Sequence, residues 1–324
     1  MTEAHYDEEA LLRLNLSSLE LYPRFVRDLE NETGLDVGYR ACGTLLVARD
    51  NDDNAALSEV FSFQQRLGLH VRRLRSRELR DLEPALSPSV RGGIAIEGDH
   101  QVDNRALTEV LISACSARAV RFVRAEVTEV LHDDGGLEGV VTNEGTRIAA
   151  EAVVVAAGTG SATIEGLPPL PIRPVKGQLL HLRARDGLPL LTHNIRGLDV
   201  YMVARPDGRL VIGATVEEQG FDRAPTAGAV RDLLGFAYEL VPGITELEVV
   251  EISVGHRPGS PDNAPLLGAT SVPGLSVATG HYRNGVLLLP ITADAIARLV
   301  LSGEVPEEIA AFAPDRFEPA DRST

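Results

Sequence analysis

Apolar residues recur at helical spacing in three parts of the chain. Between Asp7 and Asn31 they follow each other every three or four positions, which predicts an amphipathic helix. A second helical pattern follows Asp103 or Asn104, and either residue is suited to cap its N-terminus. A third pattern is almost wholly apolar and predicts a helix that ends near Leu301.

Short runs of β-branched residues predict the strands. The run 152–158 contains three consecutive valines and ends at Gly158, which is typical of a buried strand in a parallel sheet. Further strands, arranged as a hairpin-like unit, are predicted at 120–123, 126–131, 137–143 and 146–148. Several prolines follow Leu167, and the strand-rich region that continues to about Val250 indicates a mostly antiparallel sheet that roofs a pocket. The pattern as a whole predicts a mixed α/β (α+β) protein.

Composition narrows the classes of function. With 324 residues and 44% hydrophobic content, the chain is long enough for one large or two ordinary cores. A formal charge of −16 opposes binding to nucleic acid or to an anionic membrane surface. Small-molecule chemistry is therefore expected.

The start of the chain, its apolar run near the C-terminus and its cysteines indicate the cellular compartment. The start of the chain is acidic and does not resemble a signal peptide. The apolar run 286–301 is interrupted by Asp294 and Arg298, and we expect it to be too short for a membrane span. Cys42 and Cys115 show no metal or redox spacing, which predicts buried thiols. These features predict a soluble cytoplasmic protein without a metal site.

Two arginine-bearing turns carry the candidate chemistry. Arg257 lies in the rigid Pro-rich run 256–268, and Arg283 lies in the turn 280–285 before the apolar helix. Little more than one strand and its turns separates them, so both side chains can reach one cleft. Two guanidinium groups that converge on a carboxylate give charge-assisted, bidentate hydrogen bonds. Tyr201, at the start of a predicted strand, can face the same cleft.

Simpler interpretations of these residues stay open. Arg283 can be an ordinary surface arginine in a loop, and Tyr201 can be an outward-facing strand residue. The turn Gly158-Thr159-Gly160 follows a strand but lacks a third glycine, so it is a weak phosphate-binding signal. Lys176 is the only lysine of the chain, which hints at a contact with a cofactor.

Four segments together resemble a known family. They are 153–158, 174–178, 257–268 and 280–285, and they resemble the FAD-dependent D-amino-acid oxidase family, in particular its glycine oxidases of thiamine biosynthesis. The resemblance implies an FAD-binding domain, doubly wound and truncated, interleaved with a largely antiparallel sheet substrate domain. The FAD-binding domain would comprise 1–32, 96–166 and 255–315, the substrate domain 33–95 and 167–254, and the tail 316–324.

The resemblance also implies roles for individual residues. Arg257 and Arg283 would clamp the substrate carboxylate, and Tyr201 would close over it. The backbone of Val127 would meet the adenine end of FAD. The flavin would be lined by His281, Tyr282, Arg283, Asn284, Gly285, Val286 and Leu287.

The implied reaction is oxidative deamination of glycine or a similar small amino acid. O₂ would be the acceptor, with release of hydrogen peroxide, and the imine would hydrolyse or enter thiazole synthesis. A D-amino-acid or sarcosine-type oxidase is the alternative enzyme, and a homo-oligomer is possible.

One feature of the family has no counterpart in this sequence. The family opens with a βαβ unit that carries Gly-x-Gly-x-x-Gly and an acidic ribose-binding residue. No such fingerprint stands in the 324 residues, and the difference amounts to about 45 residues, the size of one such unit. Two expectations follow: a longer natural chain that binds FAD, or a non-catalytic fragment that does not.

Overall fold

The computed structural model describes residues 9–133 and 136–317. The helices are α1 (Glu9–Thr33), α2 (Asn51–Arg66), α3 (Ser76–Leu82), α4 (Asn104–Ala117), α5 (Ala227–Leu240) and α6 (Gly285–Ser302). The first strands are β1 (Thr44–Ala48), β2 (Val71–Arg75), β3 (Gly92–Ile96), β4 (Val127–Asp133), β5 (Gly136–Thr142), β6 (Arg147–Ala149) and β7 (Val153–Val155). The later strands are β8 (Arg173–Arg183), β9 (Asn194–Arg196), β10 (Tyr201–Ala204), β11 (Arg209–Gly213), β12 (Glu248–Gly259), β13 (Leu266–Ala269) and β14 (Leu275–Thr279).

An eight-stranded sheet dominates the fold. Its order is β12-β8-β11-β10-β9-β1-β3-β2, and all its pairs are antiparallel except β1 with β9. The prediction of a mostly antiparallel sheet after Leu167 is confirmed. Because side chains alternate between the faces of a sheet, Leu180, Met202 and Ile212 pack with α5 in the core, while their neighbours in sequence face the other side.

Two smaller sheets complete the strands. In the order β13-β14-β7, β14 and β7 are parallel, which confirms the parallel pairing predicted for the valine run. That run is only partly buried, because β7 is an edge strand and Val154 is 40% exposed. The third sheet, β4-β5-β6, is antiparallel and confirms the hairpin-like unit. Residues 134–135, in its first turn, lie outside the described residues.

Two local predictions are wrong. The strand predicted at 120–123 is irregular, and Phe122 is 57% exposed. A strand needs a neighbour for its backbone N–H and C=O groups, and this segment pairs with none of the strands in the described part of the chain. Cys42 and Cys115 are free, as predicted, but they are half-buried rather than buried.

Helix α1 packs against α6. Leu11 and Leu14 of α1 share a cluster with Leu288, Ile291 and Ala295 of α6. The apolar run of α6 is longer than we expected, and by length and composition this helix reaches what a membrane span needs. In the described part of the chain 39% of this helix is buried, in part against α1.

The remaining predictions on organisation have mixed outcomes. Asp103 is the N-cap of α4, since its Oδ1 accepts from the backbone N–H of Arg105 at 3.1 Å. Arg316, the first residue of the predicted tail, forms an ion pair with Asp262 at 2.9 Å, and residues 318–324 lie outside the described residues. The mixed α/β class is confirmed, and the assignment of segments to two domains stays a prediction.

Candidate active site

Tyr201 reaches the site from the eight-stranded sheet. It lies directly opposite Gly213 of β11. A Cβ atom at Gly213 would come within 2.5 Å of the Tyr201 hydroxyl oxygen, so the phenol lies across β11 because this position has no side chain. Burial raises the pKa of the Tyr201 phenol, and the hydroxyl therefore keeps its proton at neutral pH.

Arg257 reaches the same sheet face from β12. Its guanidinium lies over Gly177 of β8, where a Cβ atom would come within 2.5 Å of both terminal nitrogens. Its Nη1 donates to the carbonyl oxygen of Thr215 at 3.0 Å. Burial and the charge of Arg283 lower the pKa of Arg257, because each disfavours a further positive charge.

The turn before α6 places Arg283 beside the end of β12. Gly280 and Tyr282 adopt φ of 74° and 47°, which bends the chain sharply. The backbone N–H of Tyr282 donates to the carbonyl oxygen of Pro258 at 2.9 Å, and His281 forms a bridge with Gly259. The segments that carry Arg257 and Arg283 are therefore joined by backbone hydrogen bonds.

A cavity of about 450 Å³ lies between the sheet and the helices α1 and α6. Tyr201 and Arg283 both line it. The sheet contributes an apolar wall that consists of Leu179, Val203 and Val211. The opposite wall consists of Leu19 and Tyr22 of α1 and of Val286 and Leu287 in the first turn of α6. Arg257 is not among the lining residues; its guanidinium lies over Gly177, on the same sheet face and two residues along β8 from Leu179.

The third wall is formed by the segment that precedes α4. Tyr39 stacks on Tyr22 with ring centroids 6.0 Å apart, and His100 meets Tyr39 edge-on. Arg205 donates to Gln101 Oε1 at 2.7 Å. This wall was not foreseen from the sequence, because no local pattern joins residues 99–102 to Arg205, which follows β10.

Sequence reasoning did not single out Arg196, which lies on the sheet face of Tyr201 but is not among the residues that line the cavity. It ends β9 and pairs with Tyr201 in the register of β9 with β10. Burial, and next the charge of Arg283, lower the pKa of Arg196 to about 10. The available signal was alternation: Asn194 and Arg196 flank Ile195, whose side chain is fully buried, as in a short strand with one polar face.

The residues predicted to line a flavin divide between two sides of α6. Arg283, Val286 and Leu287 line the cavity. His281 and Gly285 line a separate apolar groove between α6 and the edge strand β7.

The other three lie outside both linings. Tyr282 and Asn284 belong to the turn, where the N–H of Asn284 donates to the carbonyl oxygen of His281 at 2.8 Å. Val127 begins β4. The roles of all these residues remain predictions.

The cavity has features that fit the ring end of FAD. Asn194 Oδ1 and His100 Nδ1 are buried without a hydrogen-bond partner among the described residues, and both residues line the cavity. Buried polar atoms are normally paired, so the site has hydrogen-bonding capacity for a bound group. The apolar walls suit the faces of a planar ring, and the N-terminus of α6 carries partial positive charge.

Comparisons with known proteins agree on one family. Residues 1–299 match the DAO family, described as FAD dependent oxidoreductase. The chain is 34% identical to the bifunctional protein ThiO/ThiG of Trichormus variabilis over 96% of its own length, and it spans only 47% of that relative. It is 36% identical to the glycine oxidase of Geobacillus kaustophilus, covering 94% of this chain and 82% of the relative.

Solved structures similar to this chain also include a glycine oxidase. The crystal structure of glycine oxidase from Geobacillus kaustophilus superposes with a TM-score of 0.88 at 34% identity, covering 98% of this chain and 85% of that chain. The iminodiacetate oxidase of Chelativorans sp. BNC1 superposes with a TM-score of 0.87 at 27% identity, covering 97% and 86%. The fold, the walls of the cavity and the match over residues 1–299 together establish that this chain belongs to the DAO family of FAD-dependent oxidoreductases.

Proposed function

We propose that the chain, with FAD bound, oxidises the amine of glycine or a similar small amino acid. The observation that carries this proposal is the meeting of Tyr201 and Arg283 in one cavity, with Arg257 on the same sheet face. A cavity lined by a phenol and a guanidinium group is suited to bind a carboxylate and hold the α-carbon in place. The name of the 36% identical glycine oxidase of Geobacillus kaustophilus supports the same reaction.

Each of the three side chains has a separate task in this proposal. Arg283 lines the cavity and binds the substrate carboxylate, and Arg257 adds positive charge from its place over Gly177 on the same sheet face. Tyr201 donates a hydrogen bond from its protonated hydroxyl to a carboxylate oxygen. The apolar wall of Leu179 and Val211 excludes water from the reacting carbon, since water would compete for these hydrogen bonds.

The proposed reaction needs no nucleophile from the protein. When bound, FAD supplies the two-electron acceptor. The amino acid loses two electrons and two protons to become the imine, and O₂ gains them to become hydrogen peroxide. Water then converts the imine to the 2-oxo acid and ammonia. A place in the thiazole branch of thiamine biosynthesis, and a cytoplasmic location, belong to the same proposal.

The proposal is tested by mixing the purified chain with FAD. We expect the visible flavin spectrum to change on binding, and peroxide to form with glycine, sarcosine or D-alanine. Arg283→Met removes the charge that lines the cavity and should raise KM about 10- to 100-fold, because a hydrogen bond to a charged group contributes roughly 1.5–3 kcal/mol.

The matched control is Arg231→Met. Arg231 lies on α5 and its side chain is 79% exposed, so KM should not change. Activity confined to bulky D-amino acids would favour a D-amino-acid oxidase. If added FAD did not bind, the chain would be a non-catalytic fragment and the proposal would be wrong.

A further inference from the structure

An open groove of about 920 Å³ lies at the β2 edge of the eight-stranded sheet, and it shares no lining residue with the cavity of the candidate active site. It is formed by the first turn of α2, the end of β2, helix α3 and the start of β3. Five arginines and one carboxylate line it: Arg73, Arg75, Arg77, Arg80, Arg91 and Glu78. The lining therefore carries an excess of four positive charges, in a chain whose formal net charge is −16.

The arginines share one side of this edge because two leucines hold the backbone from the other side. Leu74 of β2 and Leu79 of α3 are both buried in the core cluster that includes α5. The arginines on either side of Leu74 therefore project to the opposite face of the strand. In α3, Arg77 and Arg80 are three positions apart and share a helix face, and this face is turned away from Leu79.

The positive charge of the groove is not neutralised by ion pairs. None of the five guanidinium groups forms an ion pair with a carboxylate in the described part of the chain. Arg73 is held by neutral groups of α2, since it donates to Ser58 Oγ and lies over the Phe61 ring at 5.7 Å. The Glu78 carboxylate accepts from the backbone N–H of Arg75 at 2.8 Å, so it caps the start of α3.

Neither a shortage of carboxylates nor the protection of a sheet edge explains this cluster. The chain has 47 acidic and 31 basic residues. The other edge strand of the sheet, β12, carries Glu248 and Glu251, and each pairs with an arginine. Charged residues that block edge pairing are thus neutralised at β12 and not at β2. Because like charges three or four positions apart on a helix are destabilising, the cluster in the groove indicates an anionic ligand.

The charge and the size of the groove select the class of anion. A guanidinium group binds two oxygens of one phosphate group with parallel hydrogen bonds. Two or three linked phosphate groups carry several negative charges, which matches the excess in the lining. A nucleic acid would extend beyond the groove onto a surface with an excess of acidic residues, where repulsion opposes its binding.

We propose that this groove binds a small molecule through a diphosphate or triphosphate group. The arginines of β2 and α3 contact the phosphate oxygens, and Arg91 contacts them from the start of β3. The site is separate from the candidate active site, and the inference goes beyond the proposed function. A phosphate compound can bind here whether or not the chain oxidises an amine.

Calorimetric titration at constant ionic strength tests the proposal with pyrophosphate, tripolyphosphate and inorganic phosphate. Pyrophosphate should bind at least about tenfold more tightly than inorganic phosphate, because more of its oxygens meet guanidinium groups. Its affinity should decrease with added salt, since the attraction is electrostatic. Equal affinities of pyrophosphate and inorganic phosphate would overturn the inference. A single-stranded oligonucleotide that binds more tightly than tripolyphosphate would overturn the assignment to a small molecule.

Hydrogen exchange locates the bound anion. Pyrophosphate should slow exchange of the backbone amides in the segment 72–82, which carries four of the five arginines. Slower exchange only in other segments would show that the groove is not the site. FAD also carries a diphosphate, so the titration is made with and without FAD, and the affinity for pyrophosphate should be the same. Competition with FAD that is unchanged when the groove arginines are replaced would place pyrophosphate at the FAD site and overturn the inference.

The variant Arg77→Gln/Arg80→Gln should weaken pyrophosphate binding at least about tenfold. Glutamine is a good helix former, so α3 should be kept. The variant Arg77→Lys/Arg80→Lys keeps the charges without the planar fork and should retain part of the affinity. Arg91→Gln gives the same test outside the helix and should weaken binding several-fold.

The matched control is Arg185→Gln/Arg231→Gln, which changes the net charge by the same amount. These side chains are 78% and 79% exposed and do not line the groove, so the affinity for pyrophosphate should stay within about twofold of the wild type. An equal loss in the control and in Arg77→Gln/Arg80→Gln would assign binding to the total charge of the protein. Unchanged binding in both Arg77→Gln/Arg80→Gln and Arg91→Gln would also overturn the inference.

Discussion

The hydroxyl of Tyr22 donates to the carbonyl oxygen of Val286 at 2.7 Å. In a regular α-helix this carbonyl accepts from the backbone N–H four residues later. That residue is Pro290, which has no N–H, so Tyr22 of α1 supplies the donor that α6 lacks. Burial raises the pKa of Tyr22 to about 12 and keeps the donor proton in place. The first turn of α6, which follows Arg283, is thereby bound to α1.

Tyr22→Phe should lower the free energy of unfolding by about 0.5–1.5 kcal/mol, because it removes a part-buried hydrogen bond to the Val286 carbonyl. In a Pro290→Ala background the loss should be smaller, since alanine restores the helical N–H. Urea unfolding of the four proteins gives the coupling between the two positions. Strictly additive effects would show that the proline does not create the need for Tyr22.

Gly177→Ala should weaken carboxylate binding. Its Cβ atom would occupy the position of the Arg257 guanidinium, 2.5 Å from both terminal nitrogens, and the arginine would have to move. We expect the affinity for methoxyacetate, measured by calorimetry, to fall about tenfold or more, because displacement of a binding group by about 1 Å has large effects. Gly228→Ala is the control, because a Cβ atom there meets no other atom within 4 Å. Unchanged binding in both variants would remove Arg257 from the site.

Lys176 and Asp222 form an ion pair, and removing one partner should destabilise the protein more than removing the other. The Lys176 residue is fully buried, and its Nζ contacts Asp222 and donates to the Ala224 carbonyl oxygen at 2.7 Å. The Asp222 side chain is 44% exposed and water can solvate it.

Asp222→Asn leaves a buried ammonium group with Glu217 at 3.9 Å as the nearest carboxylate, so it should destabilise the protein more than Lys176→Met. Urea unfolding measures the order, with Glu248→Gln as a surface control expected near zero. The reverse order would mean that the lysine is stabilised by other groups.

The free energy of unfolding should decrease as the pH falls, because His281 is buried in its neutral form. Burial lowers the pKa of His281 from 6.5 to about 4, and its Nε2 bonds to Thr292 Oγ1 at 3.1 Å. Between pH 4 and pH 6.5 the unfolded chain binds a proton at His281 and the folded chain does not. The contribution of neutral His281 to the free energy of unfolding is therefore complete above pH 6.5 and is lost as the pH falls toward 4. The loss is on the order of 3 kcal/mol.

His281→Gln should remove this part of the pH dependence while the amide keeps a hydrogen bond to Thr292. The measurement is the free energy of unfolding in urea at several pH values between 4 and 7. An equally steep dependence in the variant would assign the effect to other groups.

The elements of the fold were largely predictable from local patterns, whereas the site was predictable only in part. The helices near the N-terminus, after Asp103 and after Gly285 begin and end close to the predicted residues. The segment 120–123 has the residues of a strand but lacks a partner in the described chain. Arg283 and Tyr201 were singled out because of a distinctive turn, a strand end and the family resemblance, and their roles stay predictions. Arg196 was not singled out, because its place beside Tyr201 depends on the pairing of β9 with β10.

The sequence by itself determined three of the helices, several of the strands, the mixed α/β class and the excess of acidic residues, because periodicity and composition act over a few neighbouring positions. Only the tertiary structure decided that Arg196 faces Tyr201, that Gly177 and Gly213 leave room for side chains from other strands, and that Tyr22 completes the hydrogen bonding of α6. These contacts join residues far apart in the chain. They depend on strand order and register, which local patterns do not specify.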